Sequence, residues 1–142
     1  MPSRRLGCAG AVGSGAVLKL AVNLPLMIYW QALGEQLAMC RSLNIDPVEL
    51  LDFLSETSGS ATVLKQRMPG IAARLKKQPS NIATFTLDGG IKDVKAMLAE
   101  GQRRGIELPL LKQTLTCYEE AKRHIAGNDE VSNVSAYWAG RK

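Results

Sequence analysis

The sequence predicts an all-α fold, a helical bundle around one long central helix, and three observations carry that prediction. Apolar residues recur at spacings of three and four, no alternating run is long enough for a strand, and helix start and stop signals punctuate the chain. The 142 residues, 46% apolar and 22% charged, suit one domain with a single core and are too few for a complete two-domain enzyme.

The first helix is expected from Ser14 to about Leu43, with Ser14 as its N-cap and apolar residues on nearly every side. Such a helix is enclosed by other helices or by a partner subunit. Pro25 removes one backbone donor inside it and predicts a kink near residues 21–25. The second helix starts at Asp46 as N-cap, with Pro47 at the first helical position and Glu49 placed to complete a capping box. Residues 57–60 break it. Residues 61–68 and 71–76 then read as two short helical pieces parted by Pro69 and Gly70, followed by a loop over 77–84.

Phe85 and Leu87 lead into a helix whose apolar face is Ile91, Val94, Met97 and Leu98, and which ends at Arg103, Arg104 and a Gly105 suited to the left-handed position. Leu108 and Pro109 open another helix, with Leu110, Leu111, Thr114, Leu115, Tyr118, Ala121 and Ile125 on one side and Gly127 as its stop. A last short helix is expected over 131–138.

Composition excludes several function classes. Lys and Arg outnumber Asp and Glu 18 to 13, a surplus of five that permits acidic or phosphate partners without naming one and leaves nucleic acid a weak alternative. Cys8, Cys40 and Cys117 are far apart and odd in number, and His124 is the lone imidazole, so no metal site is expected and the thiols indicate a reducing cytosol. Cys40 and Cys117 read as core thiols, and His124, near a helix C-terminus, as a favourable partner of the dipole. The stretch from Leu20 to Gly34 lacks charge for 15 residues, short of the roughly 18–20 that a membrane span needs, and the N-terminal residues lack the apolar run of a secretory signal. Lys65, Arg67, Arg74, Lys76 and Lys77 form a run of bases that could attract a phosphate but reads more simply as a solvated face.

Chemistry is concentrated in the first helix. Lys19 and Asn23 are four residues apart and share a face, with Gln31 two turns further along. Their apolar surroundings call for water or polar partners, which a cleft supplies. The residues alone equally allow Lys19 to lay its stem over apolar surface and expose its amine, with Asn23 bonding locally. Gly13, Ser14 and Gly15 are not a dinucleotide turn, since Leu18 stands where the third glycine belongs and no strand precedes them. Glycines before a helix N-terminus instead let a ligand or a neighbouring backbone come close.

The run from Gly13-Ser14-Gly15 through Lys19 to Asn23 resembles the G-x-G-x-x-x-K-x-x-x-N signature of the β-hydroxyacid dehydrogenases of the 3-hydroxyisobutyrate dehydrogenase type. Phe85-Thr86-Leu87 followed by Ile91-Lys92-Asp93-Val94 resembles the family's second lysine segment, and Gly105-Ile106-Glu107-Leu108-Pro109-Leu110 its G-[VI]-x-[LM]-P-[LM] step. Asp129 with residues 132–136 is similar to its terminal D-x-S-A stretch. The four motifs stand in the family's order.

The resemblance implies the fold of the C-terminal domain of 3-hydroxyisobutyrate and 6-phosphogluconate dehydrogenases. Residues 13–142 would be an all-helical substrate-binding and dimerisation domain and residues 1–12 a stub, with no Rossmann half in this chain. It implies NAD or NADP as cofactor, a small hydroxyacid substrate and a homodimer. Lys19 would exchange a proton with the substrate hydroxyl, Asn23 would bind the substrate, and Lys92, with Asp93 beside it, would stand at the cofactor edge together with Gly13, Ser14 and Gly15. A lysine in a low-dielectric cleft titrates nearer the working pH, as general acid–base chemistry requires. By spacing alone, Asp88, Lys92, Asp93 and Lys95 make an ordinary solvated salt-bridge face. Reductases acting on 3-hydroxyisobutyrate, tartronate semialdehyde, glyoxylate and succinic semialdehyde share these motifs, so the substrate stays open. The alternative function is a helical oligomerisation module without activity; a cytoplasmic protein with no membrane or nucleic-acid partner is expected either way.

Overall fold

A computed structural model of the chain describes residues 13–80 and 83–142. The expected stub over 1–12 and Cys8 lie outside the described residues. Among the described residues the fold is all-helical: α1 (Ser14–Cys40), a 3-10 turn (Arg41–Leu43), α2 (Pro47–Ser55), α3 (Leu64–Leu75), α4 (Leu87–Arg103), α5 (Pro109–Lys122) and α6 (Asn133–Gly140).

The core forms around the second half of α1, where Met27, Trp30, Leu33 and Leu37 are buried. Around it stand α4, α5 and α6, while α2 packs on α3 and α3 on α6. The Tyr118 hydroxyl donates to the carbonyl oxygen of Met27 at 2.6 Å, tying α5 to mid-α1, and burial pushes this phenol's pKa up. The first half of α1 is different. Leu18 is 40% and Val22 67% exposed, while Leu20, Leu24 and Leu26 lie against the core and are partly buried. The second half buries one face only, with Ala32, Glu35, Gln36 and Met39 exposed, so enclosure on all sides holds for neither half.

Several expectations need correction. Ser14 is the first helical residue and Gly13 the N-cap, at φ 102°, a left-handed setting that glycine adopts without Cβ strain. α1 runs through Pro25 as one helix, the continuity that the sequence predicts. It therefore extends beyond the uncharged 15-residue run, and from Ser14 to Leu43 it is long and apolar enough, at mean hydropathy 1.4, to cross a membrane by length and composition. The two pieces around Pro69 are one helix, α3. Proline there costs the single bond to the Lys65 carbonyl, near the helix start, while Leu64, Ile71 and Ala72 bury one shared face. α5 ends at Lys122, five residues before Gly127, and Leu110 is 69% exposed instead of facing the core. α6 starts at Asn133 because residues 127–131 first lie beside the start of α4, with an antiparallel bridge between Thr86 and Glu130.

Other elements begin and end as their signals predict. The Asp46 carboxylate accepts from the Val48 N–H at 2.9 Å and Pro47 opens α2. At the end of α4, Gly105 (φ 68°) turns the chain so that its own N–H reaches the Gln102 carbonyl at 3.1 Å and that of Ile106 reaches Gly101 at 2.9 Å.

Candidate functional site

Lys19 and Asn23 project from the first half of α1, Lys19 exposed and Asn23 half-buried. One turn separates them on one face. Among the described residues no ion pair or hydrogen bond engages the Lys19 ammonium, and at Gly13 and Gly15 an added Cβ would meet nothing within 4 Å. The close approach that these glycines permit is thus not used by any described residue.

Lys92 is exposed on α4, between the buried Ile91 and Val94, with Asp93 half-buried beside it. α4 runs antiparallel to α1. Its end at Met97 and Gly101, with Leu108 just before α5, borders Val17, Ala21 and Leu24 across an apolar cleft of about 140 Å³, and Gly90, near its start, lies against Tyr118, whose hydroxyl reaches Met27. Lys92 therefore stands roughly two helical turns, on the order of 10 Å, further along the bundle than Lys19. The structure sets Lys19 and Asn23 one turn apart on α1 and Lys92 on a different helix, α4. That cleft is lined by none of the three.

Of the expected solvated face Asp88, Lys92, Asp93 and Lys95, two members pair with α5, Lys95 with Glu119 at 2.8 Å and Asp88 with Lys122 at 2.5 Å. The five-base run is not a free phosphate surface. Lys65 pairs with Glu56 at 2.5 Å, Lys76 with Asp46 at 2.8 Å, Arg67 lies 3.7 Å from Glu130, and Arg74 meets Asp129. Each acid comes from another segment, so the run ties α3 to its neighbours. A stretch with five bases and no acid was the available signal, because such a helix needs its counter-charges from elsewhere.

Gln31 is buried at 6% exposure and donates to Glu35 at 3.0 Å, one turn ahead. It belongs to the core and not to the Lys19 face. Cys40 and Cys117 are free but only half-buried, and burial raises the Cys117 thiol. His124 stacks on Tyr137 with ring centres 5.3 Å apart and lies 3.7 Å from Glu120. Among the described residues no group of three or more His, Cys, Asp or Glu converges as metal ligands would.

Sequence reasoning missed a polar cluster between α3 and the residues that precede α6. A cleft of about 180 Å³ there is lined by Arg67, Ser80, Thr84, Glu130, Ser132 and Asn133, among others.

The bundle resembles solved dehydrogenases. A 3-hydroxyisobutyrate dehydrogenase from Salmonella typhimurium superimposes with TM-score 0.74 at 18% identity, over 88% of this chain and 42% of that one. A 3-hydroxyisobutyrate dehydrogenase from Mycobacterium tuberculosis, solved with L-serine, gives TM-score 0.73 at 20% identity over 90% and 44%. The chain thus spans less than half the length of either. Among curated proteins none matches. The fold, together with the sequence match of residues 13–138, is that of a domain of a hydroxyacid dehydrogenase. The chain belongs to the family described as "NAD-binding of NADP-dependent 3-hydroxyisobutyrate dehydrogenase".

Proposed function

We propose that this chain is the helical half of an NAD(P)-dependent β-hydroxyacid oxidoreductase and supplies its proton-transfer lysine. The observation that carries the reading is the first half of α1. There Lys19, exposed, and Asn23, half-buried, share a helix face on a half-helix that also exposes Leu18 and Val22. A lysine and an amide on apolar ground become a reaction cleft when a second body covers them, excluding water around the reacting groups. The body inferred is a nucleotide-binding domain, consistent with the 42–44% of the dehydrogenase chains that this one spans.

In that cleft Lys19 Nζ takes the hydroxyl proton of a small hydroxyacid during oxidation and returns it during reduction, while the Asn23 amide holds the substrate through hydrogen bonds. NAD or NADP, when bound, supplies hydride chemistry at the nicotinamide ring. Its site fits the residues present in two respects: Lys92 is an exposed cation with no ion pair among the described residues, and at Gly13 and Gly15, at the start of α1, an added Cβ would meet nothing within 4 Å. We also assign to this domain a homodimer contact and, from the free thiols, a cytoplasmic location.

The test joins the chain to a nucleotide-binding domain of a family member and measures turnover of short hydroxyacids. Lys19→Ala should lower kcat at least about 10²-fold, the lower range for removing a general acid–base group, with dinucleotide affinity unchanged. A normal kcat in that variant rejects the reading and favours a helical oligomerisation module.

A further inference from the structure

The start of α4 is held from outside the helix. The Glu130 side chain is 12% exposed, and its Oε1 faces Arg67 Nε at 3.7 Å. Its Oε2 accepts from the backbone N–H of Thr84 at 2.8 Å, from that of Phe85 at 3.3 Å, and from the Thr84 hydroxyl at 3.2 Å. Backbone groups of the same stretch complete the grip. The Val131 N–H donates to the Phe85 carbonyl at 2.9 Å, the Leu87 N–H to Asp129 at 2.8 Å and the Asp88 N–H to Gly127 at 2.9 Å.

With Thr86 Oγ1 accepting from the Gly89 N–H at 3.1 Å, the first three N–H groups of α4 are all taken, although helix geometry gives them no partner. Gly90 brings the helix against Val131, where a Cβ would stand 2.6 Å from the valine methyl. Lys92 and Asp93 follow within the next turn. A helix moves as a rod, so whatever sets its first turn sets the direction of the side chains just after it. Hydrogen bonds to a carboxylate are about twice as strong as neutral ones. The Arg67 guanidinium compensates the charge that this arrangement partly buries.

We propose that Glu130, braced by Arg67, is a positioning residue that fixes the 84–88 segment and through it the first two turns of α4, where Lys92 and Asp93 stand. Its catalytic meaning rests on placing Lys92 at the cofactor edge, as above; the positioning itself does not.

The test is residue-resolved amide hydrogen exchange on the 142-residue chain, for wild type, Glu130→Ala, Glu130→Gln and Lys92→Ala. In the wild type the Thr84 and Phe85 amides should be protected. Glu130→Ala should speed exchange from Thr84 to Lys92 at least about tenfold relative to the α5 amides, the scale of losing a hydrogen bond to a charged group. Glu130→Gln keeps an acceptor oxygen and should restore part of the protection, and Lys92→Ala should change nothing there. Equal acceleration in all helices means that Glu130 only adds global stability, and overturns the proposal. Unprotected Thr84 and Phe85 amides in the wild type overturn it without any variant. If Lys92 proves irrelevant to turnover in the joined protein while the exchange pattern holds, the cofactor-edge reading falls and the positioning stands.

Discussion

The Ser135 hydroxyl donates to the carbonyl oxygen of Trp30 at 2.6 Å, and both residues are buried, at 0% and 1% exposure. This bond joins α6 to the middle of α1. One turn on, Gly34 lies so close to α6 that an added Cβ would stand 2.9 Å from Trp138 Cβ and 3.0 Å from the Ser135 carbonyl oxygen.

Gly34→Ala should therefore destabilise the chain by about 1–3 kcal/mol, the usual cost of overpacking a core, because the obstacles are backbone and Cβ atoms that cannot swing aside. Urea unfolding measures it. A neutral or stabilised variant would show that α6 shifts freely on α1.

Asn23→Ala in the joined two-domain protein should raise KM as well as lower kcat, since a substrate hydrogen bond is felt partly in the ground state. Because Lys19 is one turn away, the double variant should lose less than the sum of the single losses. A strictly additive cycle in steady-state kinetics means that the two side chains do not act on one substrate.

The 142-residue chain by itself should not transfer hydride. Lys19 is exposed, so nothing among the described residues covers it to set up the near-attack geometry that contributes roughly 7–11 kcal/mol to such barriers. Absorbance at the reduced nicotinamide band, with 3-hydroxyisobutyrate and either dinucleotide, should stay flat; a steady rise refutes this.

Self-association is expected at micromolar concentration. Leu18 and Val22, one turn apart on α1, are 40% and 67% exposed, adjoining apolar surface that a second copy could cover. Sedimentation showing only a 15.4 kDa species would count against it.

At the end of α4, hydrogen bonds from Arg103 and then Arg104 lower the Glu100 carboxyl from 4.5 to about 2. A carboxyl lowered in the folded state stabilises above its unfolded value and loses that contribution as pH falls through the folded one. Wild type and Glu100→Gln should thus differ in urea midpoint at pH 6 and converge between pH 4.5 and 2. A constant gap across that window would show that the arginines do not hold the carboxylate in solution.

Local signals were legible where one residue type answers one backbone need. Asp46 with Pro47 marked the start of α2 and Gly105 the end of α4, because capping is decided within a few residues. Pro69 reads as a break in the sequence because the tertiary face of Leu64, Ile71 and Ala72 that outweighs its cost is not a local signal. The Lys19–Asn23 pair was readable from its spacing, and Lys92 only from resemblance. Arg67 and Arg74 looked solvated because their acids, Glu130 and Asp129, are remote in sequence. The Glu130 contact was hidden for another reason: its partners are backbone N–H groups at Thr84 and Phe85, which leave no trace in residue type.

The unequal burial of α1 divides the helix into two kinds of information. In a library of random substitutions screened only for a folded product, tolerance should be low at Met27, Trp30, Leu33, Gly34 and Leu37 and high from Ser14 to Pro25, apart from Leu20 and Leu24. A screen for work done with another body should read the reverse. One continuous helix would then carry two messages, the fold of this domain in its second half and the identity of its companion in its first.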